Sequence, residues 1–332
     1  MPSHRQELEA LLRMNDSIKY IRIQWTDYSG VLRARFIPVD RCLEIASGSE
    51  IIHLAQNNMV SAPRLVVPAA RRLQAGHATV MSIVDQKDAP KRFDKCPRML
   101  LFQSLKRLKA EWDAKVLVGF EIELVLLDGS DNVLHPRVRL NGYSRTAGLR
   151  GETLKLVEEI AEALEESCIK IHRFHTDVQG KLEIALAPEP ALEGVDSLVL
   201  AQEAIRAICV RRNLKAATTP KPTLSGPSNG LHLHLSIGKL EQALVDHFLA
   251  GVLNHMGALC AFGMANHNSY VRSTSNAAGA WIGFGTDNRD LPVRKISDQH
   301  WEFRMMDSTA NPYLFTAAIL LAGLDGLEHK QN

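Results

Sequence analysis

The sequence predicts an α+β fold in two domains, and the distribution of strands and helices is the reason. Residues 1–95 carry mainly short strands, and two of them, at 17–25 and 31–37, alternate on either side of a turn, which is typical of a hairpin. After Pro97, amphipathic helical stretches alternate with strands that bear charged side chains. We therefore predict a small β-rich domain over 1–95 and a larger mixed domain over 96–332.

The individual elements follow from the spacing of apolar residues. Where apolar residues recur every three or four positions we predict helices, at 39–48, 98–113, 151–168, 197–213 and 240–264. Where they alternate we predict strands, at 78–84, 119–124, 169–177, 181–186, 231–236 and 301–306. A last helix is predicted to start at Asn311–Pro312, because Asn is a good N-cap and Pro fits the first helical position.

Length and composition exclude several classes of protein. The 332 residues include 39 basic and 37 acidic side chains, and a formal net charge of +2 gives no strong attraction for nucleic acid or an anionic membrane. No apolar run approaches the roughly 18 residues of a membrane span, and no leader segment is visible. Five scattered cysteines without a CxxC pair are typical of reduced thiols. We expect a cytoplasmic protein.

The strand GFEIEL, residues 119–124, carries two carboxylates in an otherwise apolar segment. Glu121 and Glu123 are two positions apart, so on a strand they point to the same face. Two like charges without a partner repel each other, and their burial is costly. A positive charge is therefore expected above this face of the strand.

Other predicted strands also place ionisable side chains on one face or at one end. They are Asp177 and Glu183, His232 and His234, and Glu302 and Arg304. A strand with one face in water shows the same alternation, and an HxH pair alone is more often a surface pair than a metal site. Taken together, carboxylates and an imidazole are suitable ligands for Mg²⁺ or Mn²⁺. A divalent metal ion is thus the predicted positive charge.

Arginines are concentrated in the last quarter of the chain, at positions 272, 289, 294 and 304. Any one of them could be a solvated surface residue. Metal-binding carboxylates beside several arginines, however, are typical of sites for phosphoryl transfer, where both offset charge on the transferred phosphate. The chain lacks a GxxxxGK[ST] motif, which excludes a P-loop.

The order of the motifs resembles the glutamine synthetase family, in particular its fungal and bacterial glutamine synthetase-like branch. The motifs are GFEIEL, HTDVQGKLE, SNGLHLHLS, NSYVR, DNRDLPVR and WEFRMMDSTANPYL. The resemblance implies an N-terminal β-grasp domain and a catalytic domain with a curved antiparallel sheet flanked by helices. It also implies a homo-oligomer whose active sites lie between subunits.

Expected roles for single residues come from this resemblance. It implies two metal sites, a first with Glu123, Asp177 and Glu183 and a second with Glu121, His232 and Glu302. It implies nucleotide contacts by His234, Ser236 and Arg294, and substrate contacts by Arg272 and Arg304. It implies that the catalytic arginines are Arg289, Arg294 and Arg304. The family reaction uses ATP and Mg²⁺ or Mn²⁺ to convert a carboxylate, usually of glutamate, to an acyl phosphate, from which an amine displaces phosphate.

The sequence departs from the family in the first metal site and in the amine half. The family pattern GQxE is replaced by Gly180-Lys181-Leu182-Glu183, the loop is one residue short, and Asp177 stands where Glu is usual. We expect Lys181 to face solvent; the alternative is that it places a cation near the first metal site. Pro227 and Ser228 replace a substrate-binding Asn-Gly pair. The segment 273–280 lacks the acid of the ammonium site, and the aspartate loop expected near 55–63 is unrecognisable.

Three interpretations stay open. The chain is an ATP-dependent ligase that joins a carboxylate to ammonia or an organic amine, or a non-catalytic paralogue with a binding, regulatory or structural role, or a fragment, since the family continues beyond a position equivalent to Asn332. We expect binding of ATP with Mg²⁺ and weak turnover of glutamate with ammonia. Trp25 and the loop 57–66 are predicted to face a neighbouring subunit.

Overall fold

The computed structural model describes residues 4–48, 63–64, 71–74, 76–84, 95–134, 143–223, 226–274 and 277–331. These residues belong to two compact units. The first unit is Met1–Phe102 together with Glu166–Cys168, and the second is Gln103–Glu165 together with Ile169–Asn332. The predicted division of the sequence at 95/96 stays a prediction.

The first unit is built on a four-stranded sheet. Its elements are α1 (His4–Met14), β1 (Tyr20–Thr26), β2 (Leu32–Pro38), α2 (Val39–Ala46), β3 (Pro63–Arg64), β4 (Arg71–Gln74), β5 (His77–Met81) and β6 (Ile83–Val84). The strand order is β2-β1-β5-β4, and β3 pairs with β6 separately. The hairpin of β1 and β2 is antiparallel, as predicted, whereas β1 and β5 run parallel. The more specific expectation of a β-grasp topology stays a prediction.

The inward face of β1 forms the centre of this unit's core. Ile21, Ile23 and Trp25 alternate along the strand and are buried against residues of α1, α2 and β5. Trp25 is only 6% exposed, so the prediction that it faces a neighbouring subunit is wrong. The loop 57–66, predicted for the same role, lies outside the described residues except for Pro63 and Arg64.

The second unit holds most helices and strands. After α3 (Pro97–Trp112), which contributes residues to both units, the elements are β7 (Lys115–Asp128), α4 (Glu152–Glu166), β8 (Ile171–Thr176), β9 (Leu182–Leu186), β10 (Glu189–Pro190), α5 (Ala191–Arg211), β11 (Leu214–Ala217), β12 (Leu231–Gly238), α6 (Gln242–Asn254), α7 (Met256–Gly263), β13 (Phe284–Thr286), β14 (Val293–Ser297), β15 (His300–Phe303) and α8 (Pro312–His329).

One sheet organises this unit, in the order β13-β14-β15-β12-β7-β9-β8. Neighbouring strands are antiparallel, except that β13 runs parallel to β14. The fourteen-residue strand β7 is the common partner, because β9, β10, β11 and β12 all pair with it. Its middle and C-terminal part is buried on both faces, which accounts for its nearly continuous apolar sequence.

Three predicted elements differ in detail from the structure. The predicted helix 240–264 is two helices, α6 and α7, bent by 70° at His255, which leaves helical geometry with φ −95° and ψ 5°. The predicted strand 301–306 ends at Phe303, because the next backbone N–H, of Arg304, donates to Pro292 O outside the ladder. Helix α5 begins earlier than predicted, at Ala191.

The predicted start of the last helix is confirmed. The side chain of Asn311 accepts from the backbone N–H groups of Tyr313 and Leu314, and Pro312 stands at the first helical position. Among the helices of the described segments, none is by itself both long and apolar enough to cross a bilayer; only α6 and α7 taken together meet that criterion.

Candidate active site

The strand register brings the predicted ionisable residues into adjacent rows. Glu121 of β7 lies opposite His232 of β12, and Glu123 lies opposite Glu183 of β9. His234 lies opposite Glu302 of β15. Because side chains of directly opposed residues are neighbours on one face of the sheet, these separate pairs of the sequence become one continuous charged surface.

The first group in this surface, which we call the His232 cluster, comprises Glu121, His232, His234 and Glu302. The Nδ1 atom of His232 lies 3.3 Å from an oxygen of Glu121 and 3.1 Å from an oxygen of Glu302. His234 Nε2 lies 3.2 Å from Glu121 Oε1. Glu302 is 1% exposed and His232 is 4% exposed, so these contacts are made away from water.

Three arginines surround the His232 cluster. Arg304 contacts one oxygen of Glu302, and Arg294 donates to the other at 3.0 Å. Arg294 also reaches Asp287 at 3.1 Å, which fixes its guanidinium at the rim. Arg173, from β8, contacts Glu121. Opposite charge thus balances the buried carboxylates on several sides.

The proton affinities in the cluster follow from these contacts. Burial alone would raise the pKa of Glu302, but the hydrogen bond from His232 and the nearby charges of His232 and Arg304 hold it far below its usual range. Burial and Arg304 would lower the pKa of His232, yet its hydrogen bonds to Glu121 and Glu302 raise it to about 9. Near neutral pH the cluster therefore holds ionised carboxylates and a protonated His232.

The second group, which we call the Lys181 cluster, comprises Glu123, Asp177, Glu183 and Lys181. One carboxylate oxygen each of Glu123, Asp177 and Glu183 lies within 4.8 Å of the other two. Lys181 is only 5% exposed, and its Nζ lies 2.5 Å from Glu123 and 2.7 Å from Asp177. The prediction that Lys181 faces solvent is wrong.

Charge explains why this lysine turns inward. Burial lowers the pKa of Lys181, but the carboxylates of Glu123 and Asp177 overcome that effect and raise it, so the side chain is an ammonium ion. Burial would likewise raise the pKa of Glu123, and the charge of Lys181 instead lowers it to about 2. Each group keeps the other ionised.

A cavity of about 430 Å³ opens beside the His232 cluster. Its volume lies within the range of small-molecule sites. Its wall contains both apolar and polar side chains. The lining includes Leu117, Phe120, Ala185, Leu186, Pro188 and Ile296, and also Glu121, His172, Arg173, His234, Ser236, Arg294 and His300.

The remaining predicted arginines occupy different environments. Arg272 is 1% exposed and donates to the backbone oxygens of Met306 and Arg304 and to Asp307, so it holds the segment after β15. Arg289 is exposed and lies over the ring of Tyr143, at 5.5 Å. Arg272 and Arg289 therefore contact different parts of the structure. Substrate binding by Arg272 and catalysis by Arg289 stay predictions.

The segments that depart from the family pattern border the same site. Pro227 and Ser228 are half-buried and are followed, after Asn229, by Gly230, whose N–H donates to Glu123 at 2.7 Å. Of the segment 273–280, residues 275 and 276 lie outside the described residues. Ala277 O accepts from Arg304 Nε at 3.1 Å, so this segment positions one predicted catalytic arginine.

Sequence reasoning missed three residues at this site. Arg173 and His175 are two apart on β8, and His175 Nε2 lies 3.1 Å from Glu183. His300 lies 3.0 Å from His234. The spacing of Arg173 and His175 was a usable signal, because both point to the face that carries Glu183 on the neighbouring strand.

Comparison with known proteins identifies the family. The model of the glutamine synthetase catalytic domain matches residues 94–332. The chain belongs to the glutamine synthetase family. Over 97% of its length it is 30% identical to Protein fluG of Emericella nidulans, but it spans only 40% of that protein. Over 97% of its length it is 27% identical to the glutamate–methylamine ligase of Methyloversatilis universalis, of which it spans 80%.

Further relatives agree with this family assignment. Over 94% of its length the chain is 29% identical to the glutamine synthetase of Thermococcus kodakarensis, and it spans 75% of that enzyme. The fold of a solved GmaS/ADP complex superposes with a TM-score of 0.83 at 23% identity, covering 98% of this chain and 82% of the other. The α+β fold of a glutamine synthetase catalytic domain, expected from the motifs, is confirmed.

The two clusters differ in how well they fit the divalent metal that the family implies. The His232 cluster offers ionised carboxylates and imidazoles converging from three strands, and it suits Mg²⁺ or Mn²⁺ because an imidazole becomes a ligand when it releases its proton. The Lys181 cluster has the carboxylates but already holds an ammonium ion among them. Only the first of these two residue sets fits the ion.

Proposed function

We propose that this chain is an ATP- and Mg²⁺-dependent carboxylate–amine ligase of the glutamine synthetase type. The observation that carries the proposal is the position of the His232 cluster at the wall of the cavity, with Glu121 and His234 belonging to both. Arg294 and Ser236 line the same cavity. A nucleotide bound there would have its phosphates beside the cluster and Arg294.

The chemistry assigned to the chain's own residues is positioning and charge compensation. Glu121, His232 and Glu302 would hold the metal ion, which when bound offsets charge on the phosphates. Arg294 and Arg304, already anchored on Glu302, present fixed guanidinium groups toward developing negative charge. Transfer of the γ-phosphoryl group to the substrate carboxylate would form an acyl phosphate, and attack by the amine would release phosphate.

Glutamate and a small amine are the first substrates to examine. Two relatives whose length is mostly spanned by this chain are a glutamine synthetase and a glutamate–methylamine ligase. The lack of an acid in the segment 273–280 argues against efficient use of ammonium. We therefore assign glutamate, or a similar carboxylate, as one substrate and an organic amine as the preferred second substrate.

ADP release from ATP tests the proposal directly. The wild-type chain with Mg²⁺ and glutamate should release ADP with at least one member of a panel that includes ammonium, methylamine and longer amines. Glu302→Gln should lower that rate at least about a hundredfold, because it removes a charge from the cluster. Glu162→Gln, on the exposed face of α4, is the matched control and should leave the rate unchanged.

A non-catalytic paralogue is the second candidate, and a specific observation favours it. Lys181 already pairs with two carboxylates of the expected first metal site, and Arg272 already donates to two backbone oxygens, so residues expected to bind metal and substrate make contacts within the chain instead. Calorimetry with a non-hydrolysable ATP analogue separates the candidates. Absence of binding at millimolar nucleotide and Mg²⁺ would remove the ligase and leave the paralogue.

Assembly and location belong to the same proposal. We assign a homo-oligomer with active sites between subunits, in the cytoplasm, the latter because all five cysteines are free thiols. Light scattering at micromolar concentration should give a mass well above the 36.8 kDa of one chain. A monomer would contradict the proposed assembly.

A further inference from the structure

Three buried carboxylates in one place require positive charge. Glu123, Asp177 and Glu183 are each at most 9% exposed, and their nearest oxygens lie within 4.8 Å of one another. At such distances and away from water, three negative charges would repel strongly. Some cation must accompany them in the folded protein.

The chain itself supplies that cation. Lys181 Nζ lies between Glu123 and Asp177, at 2.5 Å and 2.7 Å. The contact with Asp177 has the length of a charge-assisted hydrogen bond, and the contact with Glu123 is shorter. The ammonium group has three N–H donors and no acceptor, and these two contacts use two of the donors.

The local backbone holds Lys181 in this position. A single 3₁₀ turn, Val178–Gly180, separates it from Asp177, and Asp177 N donates to Lys181 O at 2.8 Å. Gly180 has φ +84°, a conformation that glycine adopts easily and other residues rarely. This tight turn points the side chains of Asp177 and Lys181 toward the same side. Strand alternation agrees, because Lys181 and Glu183 are two positions apart and so share a face.

Further contacts within the chain engage one oxygen of Glu123 and one oxygen of Glu183. Glu123 accepts from the N–H of Gly230 at 2.7 Å. Glu183 contacts His175 at 3.1 Å and Arg173 at 3.6 Å. Protein groups therefore engage one oxygen of each carboxylate in the Lys181 cluster.

From this geometry we propose that the ammonium group of Lys181 is the resident cation of the Lys181 cluster and takes the place of a divalent metal ion there. A divalent ion at ligand distances of about 2.1 Å from the same oxygens would stand within a few ångströms of Nζ, where two positive charges repel. The chain accordingly binds one divalent ion fewer than its two clusters of carboxylates and histidines would suggest.

Removal of the lysine should create the missing site. In Lys181→Gln the three carboxylates remain, the ammonium is lost, and an amide of similar length takes its place. We expect this variant to bind one more Mn²⁺ per chain than the wild type, counted by electron paramagnetic resonance of free Mn²⁺ at increasing concentrations. Lys215→Gln removes a solvent-exposed lysine paired with Asp131 and should leave the count unchanged.

A second readout concerns folding without metal. Because Lys181→Gln leaves carboxylates without their cation, its unfolding temperature should fall in chelator and recover with Mn²⁺, whereas the wild type should change less. Lys181→Arg keeps the charge and should retain the wild-type metal count.

The outcomes separate this proposal from the proposed function. A gain of one ion by Lys181→Gln supports the role of Lys181, whether the wild type binds one ion or none. A wild type that binds no ion contradicts the metal site of the proposed ligase. Two ions bound to the wild type would overturn the role of Lys181. The same holds if Lys181→Gln folds with Mn²⁺ yet gains no ion. Should that variant not fold, the wild-type count decides alone.

Discussion

Tyr313 of α8 donates a hydrogen bond of 2.6 Å to the carboxylate of Asp196 on α5. Tyr313 is fully buried and Asp196 is 4% exposed. The tyrosine belongs to the motif ANPYL, which carried much of the family resemblance in the sequence. In this fold the motif therefore caps a helix with its Asn and ties that helix to a neighbour with its Tyr.

Tyr313→Phe should destabilise the protein by about 1–3 kcal/mol, because it removes a hydrogen-bond donor from a buried acid while leaving the ring in place. Chemical denaturation followed by circular dichroism measures this change. Tyr270→Phe alters an exposed ring and should have little effect. Equal stability of Tyr313→Phe and the wild type would contradict the importance of the bond.

Asn311→Ala should lower the free energy of unfolding by about 1 kcal/mol. The Asn side chain accepts from two backbone N–H groups at the start of α8, and alanine leaves both without it. Asn311→Asp retains an acceptor oxygen and should be nearly neutral. Urea denaturation of the wild type, Asn311→Ala and Asn311→Asp gives the three free energies of unfolding. An equally large loss in Asn311→Asp and Asn311→Ala would point to a role other than capping.

Ser236→Phe should weaken nucleotide binding at least about tenfold, which corresponds to 1.4 kcal/mol. Ser236 lines the 430 Å³ cavity, and a phenyl ring there takes up space that the ligand needs. Ser236→Ala keeps the cavity open and should change the dissociation constant less than about threefold. Titration calorimetry with a non-hydrolysable ATP analogue gives both values. Unchanged binding by the Phe variant would mean that the nucleotide occupies another site.

Thiol labelling should be selective. Burial raises the pKa of Cys42 and of Cys209 to about 11, and both are inaccessible, whereas Cys168 is exposed. At pH 8 an alkylating reagent should modify Cys168 quickly and the other two only after unfolding, as read by peptide mass spectrometry.

The raised pKa values of Cys42 and Cys209 also make the free energy of unfolding depend on pH. The pKa values of these two thiols in the folded protein lie above the ordinary thiol value of 9.0. Their contribution to the free energy of unfolding is therefore fully present below pH 9 and is lost as the pH rises through about 11. Cys42→Ala and Cys209→Ala should each flatten the fall in stability over that window. An equally steep fall in both variants would contradict this origin.

The sequence predicts the strands of the site well because side-chain direction on a strand has a period of two. Glu121 and Glu123 on one face, and His232 and His234 on another strand, follow from that rule alone. Their meeting depends on the register of the paired strands. Glu121 and His232 are opposed across that pairing although they are 111 positions apart in the sequence, and local spacing cannot show this. The family resemblance supplied that missing information.

Lys181 and His255 show where local reasoning ends. A lysine beside a glycine reads as a surface residue, and only the assembled carboxylates make its burial favourable. Residues 240–264 keep helical spacing throughout, yet the chain turns by 70° at His255, whose Nε2 lies 2.9 Å from Asp325 of α8. In both cases long-range contacts determine the conformation of a short segment.

The central position of β7 has a consequence for how the chain folds. This strand pairs with segments that follow it by about 60 to 120 positions, so its hydrogen-bonding edges stay open until much of the chain has been made. High contact order of this kind makes folding slow and leaves an apolar segment available for association with other chains. Refolding from denaturant should therefore be slow and sensitive to protein concentration, and synthesis in a cell should make heavy use of chaperones.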